Sequence, residues 1–213
     1  FIMDGNNRWS KKNNLDISTS YRKGAINLIK IANHCFFNRN IQYVSAFALS
    51  SHNLFRSKKL ISGIFIILNS YLDDFLLNNE RYKFNIRFIG NSDIFEKKIK
   101  DKIISVNNNN AYSKTLIIAL NYSGTDDILN ASLLFNKNIN KKLKFNDFLY
   151  TANYPNPDLL IRTGGYQRIS DFFLFQIIFT ELFFSKLLWP NFKIKSLDII
   201  INKFIKIERK FGK

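Results

Sequence analysis

The feature that most constrains the fold is an alternation of short apolar runs with longer segments of helical length. The short runs have the length of buried strands, and several of the longer segments carry apolar residues at helical intervals. Repeated strand and helix units are typical of an α/β fold, a mostly parallel sheet with helices on both faces. The pattern predicts strands at residues 43–49, 85–89, 115–121 and 158–161, a strand end at 1–3, helices at 22–38, 60–77, 92–105, 125–136 and 197–211, and a further apolar segment at 172–184. We therefore expect about six strands.

The length and composition fit one compact domain over residues 1–213. The chain is 46% hydrophobic, which suffices to bury a sizeable core, and no linker rich in Pro, Gly or Ser divides it. It starts at Phe1 and not at a methionine, so we expect that a few N-terminal residues are missing. The sequence leaves open whether a targeting segment has been removed. The single cysteine, Cys35, cannot form an internal disulfide and is expected in the core or on a helix face. It favours a reducing compartment and a cytoplasmic location.

The formal charge of +16 is compatible with nucleic-acid binding. However, the lysines are scattered among asparagine and isoleucine, and no recognition helix or RNA-binding aromatic motif is found. We therefore expect no nucleic-acid partner, and a charge that attracts anionic lipid surfaces and diphosphates. The apolar segment at 60–77 is interrupted by Asp73 and Asp74, so it is shorter than the roughly 20 apolar residues of a membrane span.

Residues 157–165, Pro-Asp-Leu-Leu-Ile-Arg-Thr-Gly-Gly, predict a strand that ends in an anion-binding turn. The two glycines allow the backbone to turn sharply and bring its N–H groups close to a ligand. Arg162 and Arg168 add forked charged donors and Ser170 adds a hydroxyl, which suits the oxygens of a phosphate or diphosphate. A Gly-rich loop with solvated arginines is the alternative for Arg-Thr-Gly-Gly alone, but a second motif far upstream favours the ligand site.

That second motif is Met-Asp-Gly-Asn-Asn-Arg-Trp at residues 3–9. It puts Asp4 at the carboxyl end of a strand, the edge at which open α/β sheets bind ligands. Further motifs follow in order: Phe-Ala-Leu-Ser-Ser-His-Asn at 47–53, Asn-Tyr-Ser-Gly at 121–124, Leu-Trp-Pro-Asn-Phe at 188–192 and Arg-Lys-Phe-Gly at 209–212. Taken together, they resemble the cis-prenyltransferase family, the enzymes similar to undecaprenyl diphosphate synthase, over nearly the whole chain.

The resemblance implies an enzyme that condenses isopentenyl diphosphate units onto an allylic diphosphate, here expected to be farnesyl diphosphate, with a new cis double bond at each step. It implies Mg²⁺ as the cofactor, because two diphosphates repel each other and the departing pyrophosphate must be stabilised. The product would be a long polyprenyl diphosphate, the precursor of a lipid carrier. It would grow in a hydrophobic tunnel beside the helix at 60–77, with the lining residues Phe65, Leu68, Leu72 and Leu76.

The same resemblance assigns residues to roles. Asp4 is the metal-associated catalytic carboxylate, and Glu181 is the second metal-associated carboxylate, in its own subunit or from the partner subunit of a dimer. Asn53 and Ser50 match polar residues near the reacting carbons. The alternative for each is a loop residue that only hydrogen-bonds the backbone at the end of a strand. The allylic diphosphate is assigned to Gly5, Asn6, Asn7, Arg8, Trp9, Ser50 and Tyr21. Isopentenyl diphosphate is assigned to Arg56, Arg162, Arg168 and Ser170.

Several positions depart from the family pattern. Ile17 stands in place of an arginine and Tyr21 in place of a histidine, both in the region of the allylic diphosphate. His52, expected to be a solvated loop residue, replaces a glutamate, Leu54 replaces a tryptophan, and Tyr166 replaces the glutamate after Gly-Gly. These changes predict a retained fold, with lower turnover or a different first substrate.

Three functions from different classes follow. The first is an active Mg²⁺-dependent enzyme, expected to be a homodimer that contacts the membrane peripherally when it releases its product. The second is a non-catalytic or weakly active partner subunit of a heteromeric cis-prenyltransferase. The third, a nucleic-acid-binding α/β domain, rests on charge alone. Partner subunits typically lose the N-terminal aspartate and the first phosphate loop, whereas Asp4, Gly5, Asn6 and Arg8 are all present here. The sequence therefore favours catalysis.

Overall fold

A computed structural model of the chain describes residues 1–55, 58–139 and 141–212. Within them the helices are α1 (Asn6–Lys12), α2 (Ile17–Asn33), α3 (Lys58–Leu77), α4 (Asn79–Tyr82), α5 (Lys97–Asn107), α6 (Gly124–Lys137) and α7 (Ile194–Phe204). The strands are β1 (Tyr43–Ser50), β2 (Asn85–Ile89), β3 (Thr115–Tyr122), β4 (Leu159–Arg162) and β5 (Glu181–Phe184). A π-helical turn, His34–Asn38, follows α2, and short 3₁₀ turns lie at Ser51–Phe55, Ser92–Ile94, Phe145–Phe148 and Trp189–Asn191.

The strands form two parallel groups that the start of the chain joins. One group has the order β1-β3-β2, and the other is the pair β4-β5. Ile2 forms parallel bridges to Phe47 of β1 and to Arg162 of β4, so it occupies the place of a strand between the groups. The predicted α/β fold with a parallel sheet is confirmed. We expected about six strands. The described residues form five strands, and Ile2 takes the place of a further one through its two isolated bridges.

Apolar residues of β3 divide between the two faces of the sheet. Every residue of β3 is buried, as expected for a central parallel strand. Leu116, Ile118 and Leu120 belong to a larger core with residues of α2, α3, α5 and α7, whereas Ile117 and Ala119 belong to a second, smaller core. Successive side chains of a strand point to opposite faces, so both faces of the sheet are covered.

The helix boundaries differ from the prediction in three places. α2 begins at residue 17 and not at 22, because the Asp16 side chain accepts a hydrogen bond from the Ser18 N–H at 2.8 Å and caps the helix. Segment 92–105 starts as a separate 3₁₀ turn, and its α-helix begins only at residue 97. The last helix covers 194–204 and not 197–211; beyond it, Arg209 Nη2 donates to the carbonyl oxygen of Phe179 at 3.0 Å. The apolar segment at 172–184 contributes the short strand β5 at its end.

Cys35 is buried in the larger core, as predicted. Burial raises the pKa of its thiol to about 12, so the thiol stays protonated at neutral pH and packs as a small apolar group. None of the helices in the described parts of the chain combines the length and apolar character that a membrane crossing requires.

Candidate active site

A cavity of about 760 Å³ opens beside the carboxyl ends of β1 and β4. This edge of a parallel sheet is the usual ligand-binding edge of open α/β folds. One part of the lining is polar and includes Asp4, Asn6, Asn7, Arg8, Tyr21, Ser50, His52, Asn53, Arg162, Tyr166, Arg168, Ser170 and Asp171. The remaining part is largely apolar and includes Leu28, Ile29, Ile64, Ile67, Leu68, Tyr71, Phe75, Phe88, Ile118 and Leu120.

Arg162, the last residue of β4, connects the separate loops of the polar part. Its side chain is 4% exposed, and its Nη2 donates to Asp4 Oδ2 at 2.8 Å. Its Nη1 donates to Ser170 Oγ at 2.7 Å and to the backbone oxygen of Arg168. A guanidinium can reach all three acceptors because its donors form a rigid planar fork. Arg162 therefore links the start of the chain to the loop at 168–170.

The Asp4 carboxylate lies between two arginines. Arg8 Nη2 donates to its second oxygen, Oδ1, at 3.2 Å, and the Asp4 side chain remains 28% exposed. Gly164 makes this approach possible: at its φ of +88°, a Cβ atom would stand 2.6 Å from Arg8 Nη2 and 3.1 Å from Asp4 Cβ. Gly5 has a φ of +112°, and a Cβ atom there would meet Leu188 Cα at 2.9 Å. Both glycines are required by their conformation and by close contacts.

Tyr166 lies among the guanidinium groups of three arginines. The Cζ atoms of Arg168, Arg8 and Arg162 are 4.5, 4.8 and 5.9 Å from the centroid of its ring. These distances are within the range of cation–π attraction. The sequence identified Tyr166 only as a departure from the family pattern. Its position two residues before Arg168 was the available signal for a role.

One face of α2 lines the cavity through Tyr21, Gly24, Ala25, Leu28 and Ile29. These positions recur at the spacing of one helix face, a signal that the sequence contained. Ile17, in the first turn of α2, is outside the lining.

Asp171 is a second carboxylate of the cavity that the sequence did not identify. It accepts hydrogen bonds from Ser123 Oγ at 2.6 Å and from the N–H and Oγ1 of Thr125 at 3.0 and 2.9 Å, and His52 Nε2 lies 3.4 Å from its Oδ2. Burial acts to raise the pKa of Asp171, but these hydrogen bonds outweigh it and hold the pKa below its ordinary value. His52 is 69% exposed, as expected of a solvated loop residue.

The cavity gathers most of the predicted site residues: Asp4, Gly5, Asn6, Asn7, Arg8, Tyr21, Ser50, Asn53, Arg162, Arg168 and Ser170. Trp9 is outside the lining and buried; its Nε1 donates to Asn191 Oδ1 at 3.0 Å, and Lys23 Nζ is 4.5 Å from its ring. Glu181 is also outside the lining, at the start of β5 and paired with Leu159, whereas the Asp4 contact is made at the opposite end of β4. Arg56 lies outside the described residues.

α3 lines the cavity with a face different from the predicted one. That face consists of Ile64, Ile67, Leu68, Tyr71 and Phe75, so Leu68 alone is shared with the predicted set. The other three residues were assigned wrongly: the Phe65 ring packs on Phe95 at 5.0 Å, Leu72 is fully buried in the core, and Leu76 is 41% exposed. The helix is apolar on several sides, and such a pattern does not indicate which side faces a ligand.

The Asp4 carboxylate fits a magnesium ion that is bound together with a diphosphate. Among the described residues, no three His, Cys, Asp or Glu side chains form a cluster that could hold a metal ion alone. Where Mg²⁺ is bound together with substrate phosphates, the protein usually supplies one or two carboxylates and several waters complete the coordination. Each oxygen of Asp4 accepts one arginine donor and keeps a further lone pair for a cation.

The fold and the site define a class: an α/β protein whose cavity combines a cluster of arginines with a lining that is otherwise largely apolar. A family model described as "Putative undecaprenyl diphosphate synthase" matches residues 2–212. An isoprenyl transferase of Helicobacter pylori (strain J99) is 37% identical over 225 aligned residues, covering 99% of this chain and 94% of that protein. A ditrans,polycis-undecaprenyl-diphosphate synthase of Acinetobacter baylyi is described as (2E,6E)-farnesyl-diphosphate specific. It is 33% identical over 223 aligned residues, covering 100% of this chain and 89% of that protein.

A solved structure is similar over the whole chain. Lavandulyl diphosphate synthase from Lavandula x intermedia, in complex with dimethylallyl diphosphate, superposes with a TM-score of 0.89 at 26% identity, covering 100% of this chain and 96% of that one. The chain therefore belongs to the undecaprenyl diphosphate synthase family of cis-prenyltransferases, as its motifs predicted. It is a transferase that elongates prenyl chains with cis geometry. The similarity to these enzymes does not favour the alternative hypothesis of a non-catalytic partner subunit.

Proposed function

We propose that the chain adds isopentenyl diphosphate units to an allylic diphosphate, with farnesyl diphosphate as the first acceptor, and makes a long-chain polyprenyl diphosphate for a lipid carrier. The observation that carries the proposal is the convergence of Arg8, Arg162 and Arg168 in a cavity whose remaining lining is largely apolar. Guanidinium groups bind phosphate oxygens through forked, charge-assisted hydrogen bonds. The apolar lining suits a growing prenyl chain, because each buried methylene contributes about 0.8 kcal/mol.

Two diphosphate sites share the polar part of the cavity in this proposal. Isopentenyl diphosphate is assigned to Arg162, Arg168 and Ser170, with Arg56 contributing from outside the described residues. The allylic diphosphate is assigned to Gly5, Asn6, Asn7, Arg8, Trp9, Ser50 and Tyr21. Trp9 would act by fixing this segment, since its indole N–H is bonded to Asn191. Tyr21 can donate one hydrogen bond at the position where the family pattern has a histidine.

The reaction breaks the allylic C1–O bond, forms a carbon–carbon bond to isopentenyl C4 and releases a proton from isopentenyl C2. Asp4 is proposed as the carboxylate that holds Mg²⁺ with the diphosphate. When bound, that ion would offset the charge of the departing pyrophosphate. Arg8 and Arg162 hold both oxygens of Asp4 before substrate arrives, which favours an ordered site. Ser50 and Asn53 are proposed to orient the reacting carbons.

The second metal-associated carboxylate is proposed to come from a partner. Glu181 does not line the cavity of its own chain, and we therefore propose a homodimer in which the partner subunit's Glu181 completes the metal site. We further propose a cytoplasmic enzyme that contacts anionic membrane surfaces peripherally as it releases its product. The net charge of +16 would support this contact.

The test is a condensation assay of the purified protein with farnesyl diphosphate, labelled isopentenyl diphosphate and Mg²⁺. Lipid-extractable product should exceed that of Asp4→Ala by at least about 100-fold, because Asp4 would stabilise charge in the transition state. Asp101→Ala, at an exposed carboxylate, is the matched control and should equal the parent. Equal product from the parent and Asp4→Ala would reject the proposal. A parallel arm with dimethylallyl diphosphate tests the choice of acceptor, and product sizing gives the chain length.

A further inference from the structure

The geometry points to Tyr166 as a positioning residue of the diphosphate site, which orients Arg168 and supports Arg8 through the face of its ring without neutralising either charge. This inference rests on the proposed function of the cavity. Tyr166 is 46% exposed and lines the cavity beside the arginines. A half-exposed phenol at this place contributes little to the core, so its contacts with the guanidinium groups are the feature to explain.

The three arginines differ in what else holds them. Arg162 is buried and fixed by three acceptors, and Arg8 is paired with Asp4. The Arg168 side chain is exposed and forms no ion pair with any described residue. Its Cζ is 4.5 Å from the Tyr166 ring, the shortest of the three distances. Arg168 therefore depends most on this ring for its orientation.

The kind of contact determines what the guanidinium can still do. A cation over a ring is attracted by the π face, and its N–H donors lie in the guanidinium plane, where a phosphate can accept them. A carboxylate partner would instead occupy the donor fork and cancel the charge. A long, exposed arginine also loses substantial side-chain entropy when it binds an anion, and a ring that restrains it beforehand reduces that cost.

Tyrosine and glutamate would give this site opposite electrostatics. The family pattern has a glutamate here, and a carboxylate among Arg8, Arg162 and Arg168 would lower the positive potential by one charge. The Tyr166 side chain adds no carboxylate beside Asp4, which contacts Arg8 and Arg162. We therefore expect this chain to bind inorganic pyrophosphate in the absence of Mg²⁺ through the arginines, with a strong dependence on salt.

The test compares Tyr166→Phe, Tyr166→Leu and Tyr166→Glu with the parent, at saturating farnesyl diphosphate. Tyr166→Phe keeps the ring and should keep the KM for isopentenyl diphosphate within about twofold. Tyr166→Leu keeps apolar bulk without the π face and should raise this KM about 5- to 30-fold with kcat nearly unchanged. Metal-free calorimetry with inorganic pyrophosphate should show the same order, with Tyr166→Glu the weakest binder.

A double-mutant cycle identifies Arg168 as the residue through which the ring acts. In an Arg168→Gln background, Tyr166→Leu should change the KM by no more than about twofold, since the contact is already lost. Equal KM values for the parent and Tyr166→Leu would overturn the inference and leave the proposed function intact. Equal losses in Tyr166→Phe and Tyr166→Leu would also overturn it, because the hydroxyl and not the ring would then be responsible. A parent that neither forms product nor binds pyrophosphate would contradict the proposed function itself.

Discussion

Single side chains join the loops that form the polar part of the cavity. Arg162 joins Asp4 to Ser170, and Asp171 joins the same loop to the first turn of α6 through Ser123 and Thr125. Ser170 and Asp171 both adopt positive φ angles, of 51° and 64°, which non-glycine residues rarely do. The hydrogen bonds of these side chains therefore stabilise a backbone conformation that would be unfavourable by itself.

The first prediction concerns the charge of Asp171. Asp171→Asn should lower the free energy of unfolding at pH 7 by about 1–2 kcal/mol, because charge-assisted hydrogen bonds are lost. The pKa of this carboxyl is lower in the folded than in the unfolded chain, so its stabilising effect is complete above the unfolded value of about 3.9 and is lost as pH falls through the folded value.

Urea unfolding at pH 7 and pH 3 measures this effect. The difference between the parent and Asp171→Asn should shrink at pH 3. Asp101→Asn removes an exposed ion pair with Lys97 and should change stability by less than about 0.5 kcal/mol at either pH. A difference for Asp171→Asn that is the same at both pH values would contradict the role of the carboxylate.

At the scale of elements, one side of α3 lines the cavity and another side faces solvent. Ile64, Ile67 and Leu68 line the cavity, whereas Ile66, on another side of the same helix, is 69% exposed. If the apolar part of the cavity holds the growing prenyl chain, the bulk of the side chains on the inner face should limit product length. The adjacent residues Ile66 and Ile67 therefore offer a matched pair of substitutions.

We expect Ile67→Trp to shorten the main product by at least one isoprene unit, because the indole would occupy space that the chain needs. Ile66→Trp adds the same side chain outside the cavity and should leave the product distribution unchanged. Mass spectrometry of the products from the condensation assay measures both. Unchanged product length in Ile67→Trp, with a normally folded protein, would show that this face does not contact the growing chain.

At the scale of the whole molecule, residues 189–192 tie the start of the chain to α2. Asn27 Nδ2 donates to the carbonyl oxygens of Trp189 and Phe192 at 3.0 and 2.9 Å, and the Trp189 N–H donates to the Asp4 carbonyl at 3.0 Å. Trp189 Nε1 in turn donates to the carbonyl oxygen of Gly24 at 2.9 Å. These bonds connect residues more than 160 positions apart, so they contribute to the stability of the whole fold.

Asn27→Ala should lower the free energy of unfolding by about 2 kcal/mol, because two buried carbonyl groups lose their donor. For a chain of this size the melting temperature should fall by about 4–8 °C. Asn138→Ala removes an exposed amide that bonds only to its own helix, and it should have little effect. Thermal unfolding of the two variants compares them directly, and equal melting temperatures would refute the importance of the Asn27 bonds.

Much of the fold and of the polar site could be predicted from the sequence, because the signals are local. Each strand that the apolar runs predicted agrees with the structure to within one residue at either end. The two motifs put Asp4 and Arg162 at strand ends, with Arg8 four residues after Asp4, and in a parallel sheet strand ends of the same direction share one edge. The cavity at that edge gathers these three residues.

Only the tertiary structure decided which distant groups meet. Ile2 joins β1 to β4 because both strands pair with the start of the chain, and no local pattern records this pairing. The inner face of α3 and the contact of Tyr166 with Arg8 likewise depend on how elements pack. Hydrophobic periodicity and turn residues report the local conformation of a chain, whereas the choice among several apolar faces is made by packing between elements that are far apart in sequence.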